Sequence, residues 1–233
     1  MNENVLSNKI QVVSIVNNFD TYNTVIRNNK NINHYSLTVF DNTSENVGIS
    51  TRYNSFINSI QPNDDSWIIF CHQDFGFMED PLSKLCTLDK NFIYGAVGAK
   101  LKRGLFVRNS KLFTYKRFFI GEIHQGDNSS DFRKNGKKLK KPERVETLDC
   151  CCIIIHSSLI TRFNLRFDEN LKFHMYAEDF CIYARKNFGI DTKVVQFECF
   201  HLGAGTPNDE YHESVEYVKR KYGLKKIIST CCD

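Results

Sequence analysis

The sequence predicts an α/β fold in which a mostly parallel central sheet is flanked by helices. Short apolar segments of strand length alternate with segments whose apolar residues recur at helical spacing. The clearest strand is residues 67–71, an apolar run that ends abruptly on His-Gln-Asp at 72–74. Because strands that alternate with helices are joined by crossover connections, this order favours parallel pairing.

Each predicted element has its own local signal. Buried-strand patterns occupy residues 11–16, 37–40, 67–71, 92–97, 147–155 and 193–200. Apolar residues spaced three and four apart predict amphipathic helices at 49–60 and 176–188, and Gly189 is a typical helix stop. Pro81 is placed to open a short helix, a final helix over 208–222 is bounded by Pro207 and Gly223, and residues 105–120 are typical of exposed or hairpin strands.

Composition predicts one large domain in a reducing compartment. The chain has 233 residues, of which 41% are hydrophobic, enough for a substantial core. It shows neither a secretion signal at its start nor an apolar run near the roughly 20 residues that span a bilayer, so we expect a cytoplasmic protein. Nine cysteines, three of them consecutive at 150–152, lack metal-site spacing and are expected to be free and mostly buried. Cys231 and Cys232 have no predicted role.

A basic cluster at residues 133–144 lies within the polar segment 127–146. A solvated flexible loop is the favoured interpretation, because a short basic run is evidence from composition alone. Contact with the phosphates of a membrane surface is the alternative, so peripheral membrane association stays open. A net charge of +4 does not indicate a nucleic-acid partner, and a nucleic-acid adaptor would require strongly salt-dependent binding.

Three residues at predicted strand ends are candidate metal ligands. His72 and Asp74 are two positions apart, so their side chains should point to the same side, where ligands collect in open α/β sheets. A nitrogen donor beside a carboxylate can hold a divalent cation. His201 follows another strand and could share that ion. The alternative is that all three are structural and bond nearby backbone.

Asp41 follows the second strand, where a carboxylate can accept hydrogen bonds from a ribose hydroxyl or a base edge. The alternative is a plain turn, since Asp-Asn-Thr-Ser is also good turn chemistry. No glycine-rich phosphate loop follows the first strand at residues 17–20, which argues against a nicotinamide dehydrogenase.

Glu178 and Asp179 form an acidic pair at the start of the predicted 176–188 helix. The positive end of the helix dipole favours carboxylates there, so capping alone could explain the pair. Asp179, however, shares a helix face with Tyr176 and Tyr183. An acid turned toward packed aromatic rings beside a cleft is a candidate proton acceptor.

Together these segments resemble the GT-A fold glycosyltransferases, specifically the bacterial family 2-like group, over about residues 10–206. The resemblance is carried, in this order, by Ile-Ile-Phe-Cys-His-Gln-Asp at 68–74, Phe-Asp-Glu at 167–169, Phe-His-Met-Tyr-Ala-Glu-Asp-Phe-Cys at 173–181 and His-Leu-Gly at 201–203. In the wider family, an Asp-x-Asp after the third strand binds the donor diphosphate through a divalent metal. Here His72 and Asp74 are the matching positions, so His72 stands in place of the first Asp, and this His-Gln-Asp variant resembles one common in the bacterial group.

The resemblance implies a single catalytic domain that transfers a hexose from a UDP- or GDP-type donor to a carbohydrate or lipid-linked acceptor. Transfer would be inverting and dependent on Mn²⁺ or Mg²⁺, and would serve polysaccharide synthesis in the cytoplasm or at the inner membrane face. The nucleotide-binding half would be about 1–100, the acceptor half about 101–206 and the C-terminal helix 207–233. The implied roles are donor binding by Asp41, Arg52, His72 and Asp74, metal binding by Asp74 and His201, catalysis by Asp179 as base with Glu178 in support, and acceptor binding by His174 and Tyr176.

Two alternatives remain at the level of sequence. A nucleotidyltransferase also uses a metal and an open α/β sheet, but it would normally carry a glycine-rich loop with Arg or Lys near the start of the chain. A catalytically inactive nucleotide-sugar-binding module is the other, and the missing first Asp is its best support. Turnover of a nucleotide sugar with Mn²⁺ separates an enzyme from such a module.

Overall fold

The computed structural model describes residues 10–104, 114–127, 130–203 and 207–230. Over these residues the strands are β1 Ile10–Val16, β2 Ser36–Asp41, β3 Trp67–Cys71, β4 Phe75–Phe77, β5 Ile93–Gly95, β6 Gly98–Gly104, β7 Thr114–Gly126, β8 Arg133–Lys137, β9 Glu143–Val145, β10 Thr147–Leu148, β11 Cys152–His156, β12 Thr192–Val194 and β13 Cys199–Leu202. The helices are α1 Phe19–Tyr22, which continues as a π-helical turn over Asn23–Arg27, then α2 Ile49–Ser59, α3 Leu82–Leu85, α4 Ser157–Phe163, α5 Tyr176–Phe188 and α6 Asp209–Tyr222.

The main sheet confirms the predicted α/β class. Its seven strands lie in the order β2-β1-β3-β11-β5-β12-β9 within the described part of the chain. Strands β2, β1, β3, β5 and β12 run one way, whereas β11 and β9 run the other. The sheet is therefore mixed, with an antiparallel strand inserted beside β3.

Two predicted strands are each divided between two sheets. The run 147–155 breaks at residues 149–151, so that β10 pairs with β6 in the second sheet while β11 lies between β3 and β5. The run 193–200 divides in the same way into β12 and β13. Hydrophobicity alone could not show these breaks, because both halves of each run are buried.

The second sheet positions one of the candidate ligands. It has the order β10-β6-β7-β13-β4, with β8 added beside β7. Strand β13 is antiparallel to β4, and this register sets His201 opposite Phe75. A residue from the far end of the chain is thereby placed next to the residues that follow β3.

The prediction of a flexible basic loop is wrong for residues 133–137. They form β8, which pairs antiparallel with β7 over Gly121–Gln125 and is exposed at every position. Lysine and glycine have weak strand preference, so pairing with the long β7 decides the conformation rather than local propensity. Charged residues on such an outer strand also oppose pairing with other chains.

The core lies on both faces of the main sheet. Along β3, Ile68 and Phe70 pack in one buried cluster, while Trp67, Ile69 and Cys71 pack in another. Burial on both faces explains why the strand is apolar at every position.

The cysteine prediction is confirmed where the structure describes it. Cys71, Cys151, Cys152, Cys181 and Cys199 are buried and free. Burial raises the pKa of the Cys71, Cys181 and Cys199 thiols to about 12, so these side chains are unreactive. Cys231 and Cys232 lie outside the described residues.

Helix ends follow the sequence signals. Helix α5 ends at Gly189, whose φ is +69°, and α6 ends at Gly223. The side chain of Asn208 accepts a hydrogen bond from the Tyr211 amide at 2.9 Å and so caps α6. Helix α4, which follows β11 directly, was not predicted. None of the described helices combines the length and apolar character needed to cross a membrane.

Candidate functional site

A cleft of about 160 Å³ opens at the carboxyl ends of β1 and β3. Its polar walls come from Asn17, Asn42 and residues 72–74, and Phe173 closes one side. Because parallel strands present their carboxyl ends to the same edge, this is where an open α/β sheet binds ligands.

His72, Asp74 and His201 meet beside this cleft. Nε2 of His201 lies 3.2 Å from Oδ1 of Asp74, and the two imidazole rings are 5.7 Å apart. One candidate ligand atom from each residue falls within 4.8 Å of the other two. The structure thus brings together the three residues that the sequence placed at separate strand ends.

The donor set fits a divalent cation. Nε2 of His201 is buried and has no hydrogen-bond partner within the described part of the chain, although the Asp74 carboxylate is adjacent. The Nε2 nitrogen and the Asp74 oxygen lie 3.2 Å apart without a well-aligned hydrogen bond, and both would be satisfied if they bound one ion. Two imidazoles and one carboxylate suit Mn²⁺ better than Mg²⁺, which prefers oxygen.

The ionisation states of His72 and Asp74 suit a cation site, whereas His201, whose pKa is raised, would give up a proton on binding an ion. Burial alone would lower the pKa of His201, but Asp74 and Asp149 outweigh burial and raise it. Burial and the neighbouring His201 lower the pKa of His72, which favours its neutral, ligating form. Burial would raise the pKa of Asp74, yet the two histidines hold it below its ordinary value, so Asp74 is ionised.

A second cluster of candidate ligands combines Glu122 and His124 of β7 with Glu198, the residue before β13. Its carboxylates already have cationic partners, because Lys134 lies 3.2 Å from Glu122 and Lys138 pairs with Glu198. In the cluster at the cleft, by contrast, the only ion pair of Asp74 within the described residues is with His201.

Tyr176, which the resemblance implies as an acceptor contact, lies beneath the cation cluster. Its side chain is fully buried. The phenol oxygen lies 2.7 Å from Nε2 of His72 and 3.1 Å from the carbonyl oxygen of Cys150. Tyr176 therefore contacts the cation cluster from beneath rather than facing solvent.

The Asp179 side chain is in a buried ion pair, not in the cleft. Nζ of Lys221 on α6 lies 2.8 and 3.0 Å from the two carboxylate oxygens of Asp179, and 2.7 Å from Oδ2 of Asp168. Burial raises the pKa of Asp179, and Lys221 offsets part of that rise. The carboxylate predicted as the base therefore joins α5 to α6 through Lys221. The sequence could not show this contact, because the two residues are 42 positions apart in the chain.

Glu178 occupies the other side of α5. Its Oε1 accepts a hydrogen bond from the Ser229 hydroxyl at 2.5 Å. Burial raises the pKa of Glu178 to about 7, with Ser229 opposing the rise and Asp149 adding to it. Glu178 is the member of the predicted acidic pair whose pKa is raised by Asp149, and Asp149 also raises the pKa of His72 and His201.

Asp149, which sequence reasoning did not single out, lies close enough to His72 and His201 to raise the pKa of both. It lies in the break between β10 and β11, accepts a hydrogen bond from the Cys151 amide at 2.9 Å and another from the Thr230 hydroxyl. Burial would raise its pKa, but Thr230 and His201 outweigh burial and lower it, so Asp149 is ionised. The only signal in the sequence was one acid that interrupts a long apolar run.

The residues after β2 support the turn interpretation of Asp41. Its carboxylate accepts hydrogen bonds from the amide and hydroxyl of Thr43 at 2.9 and 2.7 Å. Arg52 contacts the Asp41 carbonyl oxygen at 3.2 Å and Glu45 at 2.9 Å. Asn42, not Asp41, lines the cleft.

Gln73, which was not predicted as a site residue, joins two strand ends. Its Oε1 accepts hydrogen bonds from the amides of Asn17 at 3.0 Å and Asn18 at 2.9 Å. The loop after β1 is thereby fixed against the loop after β3.

His174, which the resemblance implies as an acceptor contact, packs edge-to-face against Tyr211 of α6, at 5.8 Å between ring centroids. Residues 204–206, after β13, lie outside the described residues.

Comparison with known proteins supports the fold. No family model and no curated protein matches the chain. Among solved structures, GalNAc-T7 crystallised with UDP, GalNAc and Mn²⁺ superposes with a TM-score of 0.51 at 13% identity, covering 89% of this chain and 47% of that chain. Two structures of TarS from S. aureus are also similar. One has a TM-score of 0.52 at 12% identity (91% of this chain, 39% of that chain), and residues 1–349 in complex with UDP have 0.50 at 14% (91% and 65%).

These similarities establish a GT-A fold, the fold of the glycosyltransferases with which the chain superposes. The chain spans about two fifths to two thirds of the length of those structures. Identities of 12–14% carry the fold and not the activity.

Proposed function

We propose that the protein transfers a sugar from a UDP- or GDP-type nucleotide donor to an acceptor hydroxyl, with the help of a divalent cation. The observation that carries this proposal is the convergence of His72, Asp74 and His201 at the ligand-binding edge of a GT-A fold. Neither the fold nor the cluster would be sufficient alone, since one fold hosts many activities.

His72, Asp74 and His201 would hold Mn²⁺ or Mg²⁺. When bound, the cation supplies positive charge that neutralises the departing diphosphate. The cleft beside the cluster receives the nucleotide, where Asn17 and Asn42 offer amide groups to its polar edges. Arg52 is not among the residues that line the cleft; it contacts Glu45 at 2.9 Å and would act on the donor only by exchanging that partner.

We assign the base to Glu178 rather than Asp179. The acceptor oxygen forms a bond to the anomeric carbon as the bond from that carbon to the diphosphate oxygen breaks, and the acceptor proton passes to the Glu178 carboxylate. A pKa of about 7 suits proton transfer near neutral pH. Glu178 is only 3% exposed and Ser229 only 4%, so an acceptor hydroxyl would reach Oε1 by displacing the Ser229 hydroxyl that is now hydrogen-bonded to it. Attack from the face opposite the leaving group gives inversion.

Nucleotide-sugar turnover tests the proposal. UDP- and GDP-sugars are incubated with the protein with and without Mn²⁺, and release of nucleoside diphosphate and thermal stabilisation are both measured. We expect Asp74→Asn to abolish cation-dependent stabilisation and release. Glu178→Gln should keep the stabilisation and lose release, whereas Glu213→Gln, which removes an exposed acid from α6, should match the wild type.

The alternatives give different results in the same assay. Stabilisation by nucleotide sugars without release would instead identify an inactive binding module. Formation of pyrophosphate from a nucleoside triphosphate and a sugar phosphate would identify a nucleotidyltransferase.

Peripheral membrane association stays part of the proposal and has its own test. The exposed residues of β8 and the following lysines present positive charge. We expect binding to anionic vesicles that falls when Lys137, Lys140 and Lys141 are replaced by Ser. Co-sedimentation that is insensitive to this change would remove the membrane from the proposed partners.

A further inference from the structure

A chain of two hydrogen bonds runs from His72 through Tyr176 to the protein backbone. Nε2 of His72 lies 2.7 Å from the Tyr176 oxygen, which lies 3.1 Å from the carbonyl oxygen of Cys150. Tyr176 is fully buried, so water does not supply either partner.

Counting protons fixes the direction of both bonds. A tyrosine hydroxyl has one hydrogen, and a carbonyl oxygen has none to donate. The Tyr176 hydrogen must therefore point to the Cys150 carbonyl, because the opposite arrangement would set two oxygen lone pairs against each other at 3.1 Å. The Tyr176 oxygen then accepts, and the hydrogen between it and His72 belongs to Nε2 of the imidazole.

We propose that Tyr176 is a positioning residue that holds neutral His72 with its proton on Nε2, so that the lone pair of Nδ1 is the one offered to the cation shared with Asp74 and His201. This inference rests on the proposed function for the identity of the ligand. A histidine that binds a metal through one nitrogen is oriented by the hydrogen bond of its other nitrogen. In the described structure, Tyr176 supplies that bond.

The surroundings of Tyr176 are suited to a fixed support. Its ring packs at 6.0 Å from the rings of both Tyr53 and Phe167, and it is the first residue of α5, which begins after Met175 at a φ of +60°. A side chain locked in this way loses little further freedom when it orients a neighbour.

Side-chain nitrogen NMR of the cation-free wild-type protein gives the first test. We expect His72 to show a slowly exchanging proton on Nε2 and an unprotonated Nδ1. A proton on Nδ1 would overturn the inference, and this result does not depend on whether any variant folds.

Tyr176→Phe gives the second test, with Tyr94→Phe as the matched control. Tyr94 is also buried, and its hydroxyl donates to the Asp89 carbonyl at 2.9 Å, so both variants lose one hydroxyl-to-carbonyl bond. We expect Tyr176→Phe to bring the His72 Nε2 proton into fast exchange and to weaken Mn²⁺ binding, measured by electron paramagnetic resonance, by about 10- to 100-fold. Tyr94→Phe should change neither.

The possible failures are distinguishable. Equal Mn²⁺ affinity in Tyr176→Phe and Tyr94→Phe would overturn the positioning role. A wild-type protein that binds no Mn²⁺ but shows the proton on Nε2 would overturn the proposed cation site. The inference that Tyr176 keeps the His72 proton on Nε2 would stand.

Discussion

Removing the Lys221 ammonium should lower the free energy of unfolding, because it leaves the buried Asp179 carboxylate without its cationic partner. The side chain of Asp179 is only 2% exposed, and Lys221 binds both of its oxygens. Lys221→Met keeps most of the aliphatic stem and deletes the charge. Asp179 is then left buried without its cation, and Asp168 loses its partner at 2.7 Å as well, so we expect the folded state to be destabilised.

The magnitude follows from the burial of the two partners. Breaking a fully buried ion pair by removing one member costs about 3 to 5 kcal/mol. Lys221 is 28% exposed, so water screens part of the interaction, and we expect a loss of about 2 to 3 kcal/mol in the free energy of unfolding. Lys219→Met is the control on the same helix, because Lys219 pairs with the exposed Glu216 and water screens that pair, so its loss should be clearly smaller.

The loss should depend on pH. The pKa of Asp179 is already above its ordinary value, and removing Lys221 raises it further. The folded state then binds a proton that the unfolded state releases above about pH 4, so the variant loses stability progressively as pH rises toward the new folded pKa. The destabilisation should therefore be larger at pH 7.5 than at pH 5.

Urea unfolding at these two pH values, followed by circular dichroism, measures both effects. Adding Asp179→Asn to Lys221→Met should restore part of the stability at pH 7.5, since it removes the unpaired charge. A Lys221→Met loss no greater than that of Lys219→Met, or one equal at the two pH values, would show that Asp179 is not held in this way and would reopen its assignment as the base.

Three further predictions concern the base, a helix end and the thiols. Because Glu178 must be ionised to accept a proton and its pKa is about 7, the rate of nucleotide-sugar turnover should fall below neutral pH, with roughly a tenth of the enzyme competent at pH 6. Ser229→Ala should move this limb upward in pH, since the Ser229 hydrogen bond lowers the pKa, and an unmoved limb would exclude Glu178. Asn208→Ala should cost about 1 kcal/mol in urea unfolding through loss of the α6 cap, and equal stability would mean that the cap is unimportant. Exposed Cys86 should react with a thiol reagent in the native protein while buried Cys71 stays unlabelled until unfolding, as peptide mapping would show, and early labelling of Cys71 would contradict its burial.

The reliable sequence predictions were those in which the local pattern and the burial agree. Strand β3 has the predicted bounds because it is buried on both faces and ends on polar residues. Helix α5 has its predicted bounds for a related reason, with Gly189 free to adopt a positive φ at the end of an apolar stripe. In each case a signal within about ten residues is sufficient.

The missed features depend on contacts between residues far apart in the chain. Strand β8 exists because β7 offers it a partner, and the break at Asp149 follows from two sheets competing for one apolar run. The role of Tyr176 depends on His72, 104 positions earlier. No local pattern contains such distances.

By itself, the sequence determined the α/β class, most of the strands and helices, and His72 and Asp74 at the end of β3, because apolar periodicity and abrupt polar termini are local properties. His201, predicted to follow a strand, lies within β13. Only the tertiary structure decided what each polar group does. It paired Asp179 with Lys221, set Glu178 beside Ser229 and turned Tyr176 under His72. The physical reason is that the charge and proton affinity of a buried side chain are set by its neighbours in space, which the order of residues along the chain does not specify.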